Sequence, residues 1–239
     1  MFEFNLASDM RRMATRLLVS LTQFQAAGMK MRHIYVTMCA FLMLASPVSA
    51  FDHDFATQVL AEINLARTDP RAYAGFIREF RRRFRGKNYV LPGSTTRIQT
   101  SEGVSAVDEA IRFLSRSKPL PLLTWSEGLA AAAAELAEEQ GDSGATGHIG
   151  KQSHGVRERI ERHGKWERRI GENIGYGPEE PRNMVMQLII DDGVPDRGHR
   201  KNTFSTGFAT AGVACGPHPR FGSMCVVDFA GGFRDGDGR

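Results

Sequence analysis

Residues 170–177 read IGENIGYG, and the glutamate in this run poses a problem of parity. Alternation along a strand puts Ile170, Glu172 and Ile174 on one side. If the isoleucines face a core, Glu172 does too, and an unpaired buried carboxylate is costly. It needs partners that interact with carboxylates at neutral pH. Of the seven histidines, His148 in TGHIG and His199 in RGHRKN each follow a glycine, whose backbone freedom lets a loop aim a ring into a cleft. An imidazole beside a carboxylate can act as a general base or, when neutral, as a ligand for a divalent cation such as zinc. The other histidines offer less. His33 lies in the apolar N-terminal region, His53, His163 and His218 read as exposed and incidental, and His154 is placed to cap a helix over 155–163. The chain has no GxSxG run, and Ser143 and Ser153 sit in loops with no nucleophile setting.

The elements that must hold these groups follow from pattern and punctuation. A helix is expected over 54–67, broken at Asp69-Pro70, with a second helix opening on Pro70. A loop over 86–100 leads to a helix near 102–117. SEGLAAAAAELAEEQG then starts on the N-cap Ser126 and stops before Gly141. After the GHIG loop come a short helix in GVRERIERHG, the strand at 170, a helix near 181–192 and two final strands, FATAGVAC and CVVDFAGG. Helices come first and strands late, which predicts an α+β fold with helices packed on an antiparallel sheet.

The 239 residues are 41% apolar and 24% charged, ordinary for a globular chain. The first fifty differ. From Met29 the chain reads MKMRHIYVTMCAFLMLASPVSA: two basic residues, an apolar run, a Pro break and a small-residue end. That is the pattern of a signal peptide over 29–50, with 1–28 an upstream extension and the mature chain starting at Phe51. The apolar run is too short for a transmembrane anchor. Residues 1–50 carry five Lys/Arg and two Asp/Glu, so the remainder holds 26 against 25. Near neutrality gives a nucleic-acid partner no support. The local basic run REFRRRFRGK reads as the solvated face of a helix striped by Phe76, Phe80 and Phe84, with attraction of Arg81–Arg83 to an anionic envelope as the alternative. Cys39 leaves with the signal peptide. Cys215 and Cys225 flank a turn between two strands and are expected to form a disulfide in an exported chain.

Six segments in order, INLARTDPRAYA, LTWSEGLAAAAAELAEEQ, GHIG, GENIGYG, IIDDGVPDRGHRKN and GVACGPH with CVVDFAGG, resemble the CAP superfamily of cysteine-rich secretory proteins, antigen 5 and pathogenesis-related 1. The resemblance is to bacterial exported members. It implies a three-layer α-β-α sandwich over 51–231, with a flexible tail from 232. It also implies a cleft lined by His148, His199, Glu172 and a second acid. Many members place glutamate at that last position, where this chain offers Asp191 or Asp192. Asp191 matches the family position better. These four positions are the catalytic candidates. His148 and His199 are the candidate ligands for a divalent metal, zinc foremost, with Glu172, Asp191 and Asp192 behind them. A monomer is expected, secreted or periplasmic by its leader pattern, and the resemblance implies that it binds a lipid, an envelope component or a protein. A peptidase-like hydrolase and an envelope interaction protein with a vestigial cleft are the alternatives.

Overall fold

The computed structural model describes residues 53–90, 93 and 95–236. The upstream extension, the signal peptide and residues 237–239 of the tail lie outside them. Helix α1 (His53–Thr68) buries Ala56, Val59, Leu60, Ile63 and Ala66, the spacing of one helical face. Asp69 caps α2 (Pro70–Arg81) by accepting from the Ala72 N–H at 2.9 Å, with Pro70 at the first turn. Three short strands follow: β1 (Phe84–Arg85), β2 (Asn88–Val90) and β3 (Arg97–Gln99), paired antiparallel. Within the expected loop over 86–100, residues 88–90 and 97–99 are thus strands of a small sheet. Phe84 belongs to that sheet and not to the helical stripe, and its ring stacks on Tyr89.

Helix α3 (Val104–Arg116) and strand β4 (Thr124–Trp125) lead to α4 (Glu127–Ser143), whose N-cap Ser126 accepts from the Leu129 N–H. Gly141 does not stop α4. The helix runs on to Gly144, which takes the left-handed cap conformation at φ 70°. A Cβ on Gly141 would approach the Pro217 carbonyl to 2.9 Å, so that glycine serves close packing of helix on strand. The remaining elements are α5 (Val156–His163), β5 (Gly164–Trp166), β6 (Ile170–Tyr176), α6 (Pro181–Ile190), α7 (Gly198–Thr203), β7 (Thr210–His218), β8 (Gly222–Ala230) and β9 (Phe233–Asp235).

The main sheet has the order β4-β7-β8-β6, antiparallel except for the short parallel pair β4-β7. Parity sorts its residues into two layers. Ala211, Val213, Cys215, Val227 and Phe229 pack with Ile63 of α1 and with Met184 and Ile189 of α6. On the other face Ala214, Val226 and Ile174 pack with Ala133 and Leu136 of α4, and Ala230 with Ile160 of α5. This is an α+β, three-layer α-β-α sandwich. Strand β6 is an edge, so segments from both helical layers can reach round it. Cys215 and Cys225 are directly opposite in the β7-β8 register and are joined as a disulfide.

The tail is not flexible from 232. Strand β9 pairs with β5, and the Asp235 carboxylate accepts from Ser126 Oγ and the Gly128 N–H, both at 2.7 Å. A carboxylate at the start of α4 is favoured by the helix dipole. Among the described residues no helix is long and apolar enough to cross a membrane.

Candidate functional site

Glu172 is 7% exposed, as parity requires of a residue between Ile170 and Ile174. Its Oε1 accepts from His148 Nδ1 at 2.8 Å. Its Oε2 is bonded to Arg159 of α5, a guanidinium with no exposed surface. Arg159 also donates to the carbonyls of His154 (2.7 Å) and His148 (3.4 Å). One cation thereby fixes both the carboxylate and the 148–154 loop that carries the imidazole. His148 itself is half exposed. With Nδ1 donating to a carboxylate, Nε2 is the ring nitrogen left to accept from a ligand.

The second imidazole repeats this arrangement with different elements. Asp191 ends α6 in the left-handed conformation, φ 58°, which turns its carboxylate back over the start of α7. Oδ1 accepts from His199 Nδ1 at 2.6 Å, and Oδ2 from the backbone N–H of His199 (2.9 Å) and Arg200 (3.2 Å). Asp191 is 3% exposed, and about a quarter of the His199 side chain meets solvent. Asp191, not Asp192, therefore pairs with the imidazole. Asp192 accepts from the N–H groups of Ser101, Glu102 and Gly103 and so fixes the turn that leads into α3.

Strand β6 joins the two pairs. Asn173, next to Glu172, donates to the His199 carbonyl at 3.0 Å, and Asn202 of α7 donates to the Glu172 carbonyl at 3.1 Å and to Asn173 Oδ1 at 3.0 Å. The four residues expected to share a cleft are thus held as two imidazole–carboxylate pairs, anchored at consecutive positions of one edge strand. Among the described residues no group of three or more His, Cys, Asp and Glu is placed to hold one metal ion. Two concavities, of about 420 Å³ and 510 Å³, flank the α7 side, and neither is lined by His148 or His199.

Arginines that the sequence presents as ordinary surface charges position α7. Arg200, 3% exposed, donates to the Ile189 and Ile190 carbonyls at the end of α6 and to Glu109. Buried Arg67 donates to the carbonyls of Thr203 and Ser205 at the other end. Arg197 bridges Glu102 and Glu109. Hydrogen bonds from Arg197, joined by the Gly193 N–H, hold Glu102 at a pKa of about 2. Arg197 bonds likewise outweigh burial and, with Arg200, hold Glu109 at about 2. Both carboxyls are depressed, so their contribution is complete above the ordinary value of about 4.5 and is lost as pH falls toward about 2. Amides of α7 are expected to lose hydrogen-exchange protection across that window, and the Glu102→Gln, Glu109→Gln double variant to show a flatter acid dependence. An acid response identical in the variant would remove these two groups from the account.

Two of the histidines read as exposed and incidental have hydrogen-bond partners. His218 is 2% exposed, with Nε2 donating to the Ala145 carbonyl at 2.9 Å, and His163 lies 2.6 Å from Glu135. His154 does not cap α5, whose N-cap is Gly155. It takes a left-handed conformation and offers its carbonyl to Arg159. The basic run is largely paired, Arg81 with Asp108, Arg82 with Glu79 and Arg83 over the Phe80 ring.

Residues 60–229 match the family model described as the cysteine-rich secretory protein family. No curated protein matched. Two solved structures are similar in part. One is an extracellular protein containing an SCP domain from Bacillus anthracis, 19% identical, with a TM-score of 0.39, covering 53% of this chain and 37% of that one. The other is an outer surface protein from Borrelia burgdorferi, 19% identical, with a TM-score of 0.39, covering 46% of this chain and 78% of that one. This chain therefore spans little more than a third of the length of the Bacillus protein, and at these TM-scores nothing further is taken from either.

Proposed function

The chain belongs to the cysteine-rich secretory protein family, and from that premise we propose that it is an exported binding protein whose ligand is held at the edge of β6 by the outward nitrogens of His148 and His199. The observation that carries this reading is the commitment of each Nδ1 to a buried carboxylate, which leaves Nε2 as the nitrogen available to a ligand in each ring. The leader pattern over 29–50 supports export. Polar head groups of a lipid or an envelope component could donate to these nitrogens.

Two imidazole nitrogens are also chemically suited to a divalent cation, zinc first. Such an ion would supply positive charge to which an anionic ligand group could attach. His148 and His199 would hold it, while Glu172 and Asp191 fix their tautomers. With two protein donors, binding should be exchangeable and not structural. A hydrolytic reading is weaker, because among the described residues neither imidazole is hydrogen-bonded to a serine or cysteine and water would have to be the nucleophile.

Calorimetry tests the reading on exported material that begins at Phe51. Zinc titrated at pH 7.5 is expected to bind, and His148→Ala and His199→Ala each to weaken binding at least about tenfold without unfolding the chain. No uptake, or an affinity unchanged in both variants, would remove the metal and leave a polar binding edge.

A further inference from the structure

Asp228 is an acidic group at this site that the proposed function leaves without a role. It stands on β8 directly opposite Glu172 in the β6-β8 register, has no exposed surface and lies within hydrogen-bonding reach of Glu172. On its other flank β7 presents Gly212, where a Cβ would strike the backbone of Leu129 and Ala130, so α4 packs tightly on the sheet face that carries Asp228. Neither carboxyl oxygen of Asp228 meets a donor among the described residues. Glu172 by contrast receives both the His148 ring N–H and the Arg159 guanidinium.

The charged groups that face Asp228 are Glu172 on β6, Arg159 on α5 and Glu135 on α4. Glu135 is already paired with Arg162 and His163. Arg159 is committed to Glu172, so a second buried anion would have no counter-charge of its own. Burial first, and then the adjacent Glu172 charge, push the Asp228 carboxyl well above the usual carboxylate range. Two carboxyl groups in contact in a dry site relieve their repulsion by sharing one proton. The group with no donors is the one that takes it.

We propose that Asp228 is a positioning residue for His148: a neutral carboxylic acid whose O–H donates to Glu172 and, together with Arg159, turns one glutamate oxygen toward the imidazole Nδ1. This rests on the reading of His148 as a binding group, but the proton is there or absent whatever the ligand is. Glu172 is thereby held by three donors, from a loop, a helix and a strand, which fixes the carboxylate oxygen that meets Nδ1.

The test is carbon NMR of the folded chain labelled at the aspartate carboxyls, with the Asp228 signal identified by its loss in Asp228→Asn. It is expected at the position of a neutral acid at pH 7, with no titration step between pH 5 and 8. A carboxylate signal at pH 7 would overturn the proposal. The His148 Nδ1–H resonance gives a second readout. In Asp228→Asn, whose amide can still donate to Glu172, its exchange rate should stay near that of the unaltered chain. In Asp228→Leu it should rise at least about tenfold. A Leu variant that keeps the original rate, or an Asn variant as fast as Leu, contradicts the positioning role. If the Leu variant does not fold, the carbon measurement still decides. Failure of zinc or ligand to bind His148 would leave both results untouched, so the two readings fail separately.

Discussion

Replacing Arg159 by methionine is expected to destabilise the folded chain by about 3–5 kcal/mol, the cost of stranding a buried carboxylate. Methionine keeps most of the length and apolar volume and removes the charge. Glu172 would then lose the guanidinium paired with it while remaining beside Asp228 in the sheet interior. The carbonyls of His148 and His154 would lose the same donor, so the 148–154 loop should exchange its amides faster. Urea unfolding gives the size of the loss, and the double variant Arg159→Met, Glu172→Gln should recover a large part of it, because it removes the stranded charge as well. A single variant within about 1 kcal/mol of the original stability would mean that the pair does not organise this site.

The second large loss should follow from separating Cys215 and Cys225. The two residues face each other across β7 and β8, with 3% and 0% of their surfaces exposed, in the layer formed with α1 and α6. The bond closes a loop of sequence separation 10, and for so short a loop the stabilisation is near or below about 3 kcal/mol. The Cys215→Ala, Cys225→Ala variant should unfold at correspondingly lower urea. Thiol titration of the unreduced, denatured mature chain should read near zero, and two thiols per chain would refute the bond.

Much of the architecture was legible because caps and periodicity agreed. Ser126 and Asp69-Pro70 start helices where their chemistry predicts, and the late strands form the sheet. The misreadings arise where tertiary contact overrides a local signal. Gly141 looks like a stop and serves close packing, while 233–235 look like a tail and cap α4 through Asp235. At the site, parity placed Glu172 inward, and the glycine-preceded histidines are the ones that meet buried carboxylates. Arg159 could not be found in this way: VRERIERH carries three arginines, and only the approach of α5 to β6 distinguishes the buried one from the exposed ones. Asp228 was within reach of the same parity argument, since it lies between Val226 and Ala230. The choice between Asp191 and Asp192 depended on the left-handed turn at Asp191, which no spacing rule specifies.

The central claim is that in both imidazoles Nδ1 donates to the buried carboxylate, which leaves Nε2 to the ligand. Long-range proton–nitrogen NMR of the mature chain at pH 7.5, with His148 and His199 assigned by their alanine variants, reads this directly. The account predicts a protonated Nδ1 and an unprotonated Nε2 in both rings, with the Nε2 signals the first to move when zinc is added. A proton on Nε2 in either ring would contradict it.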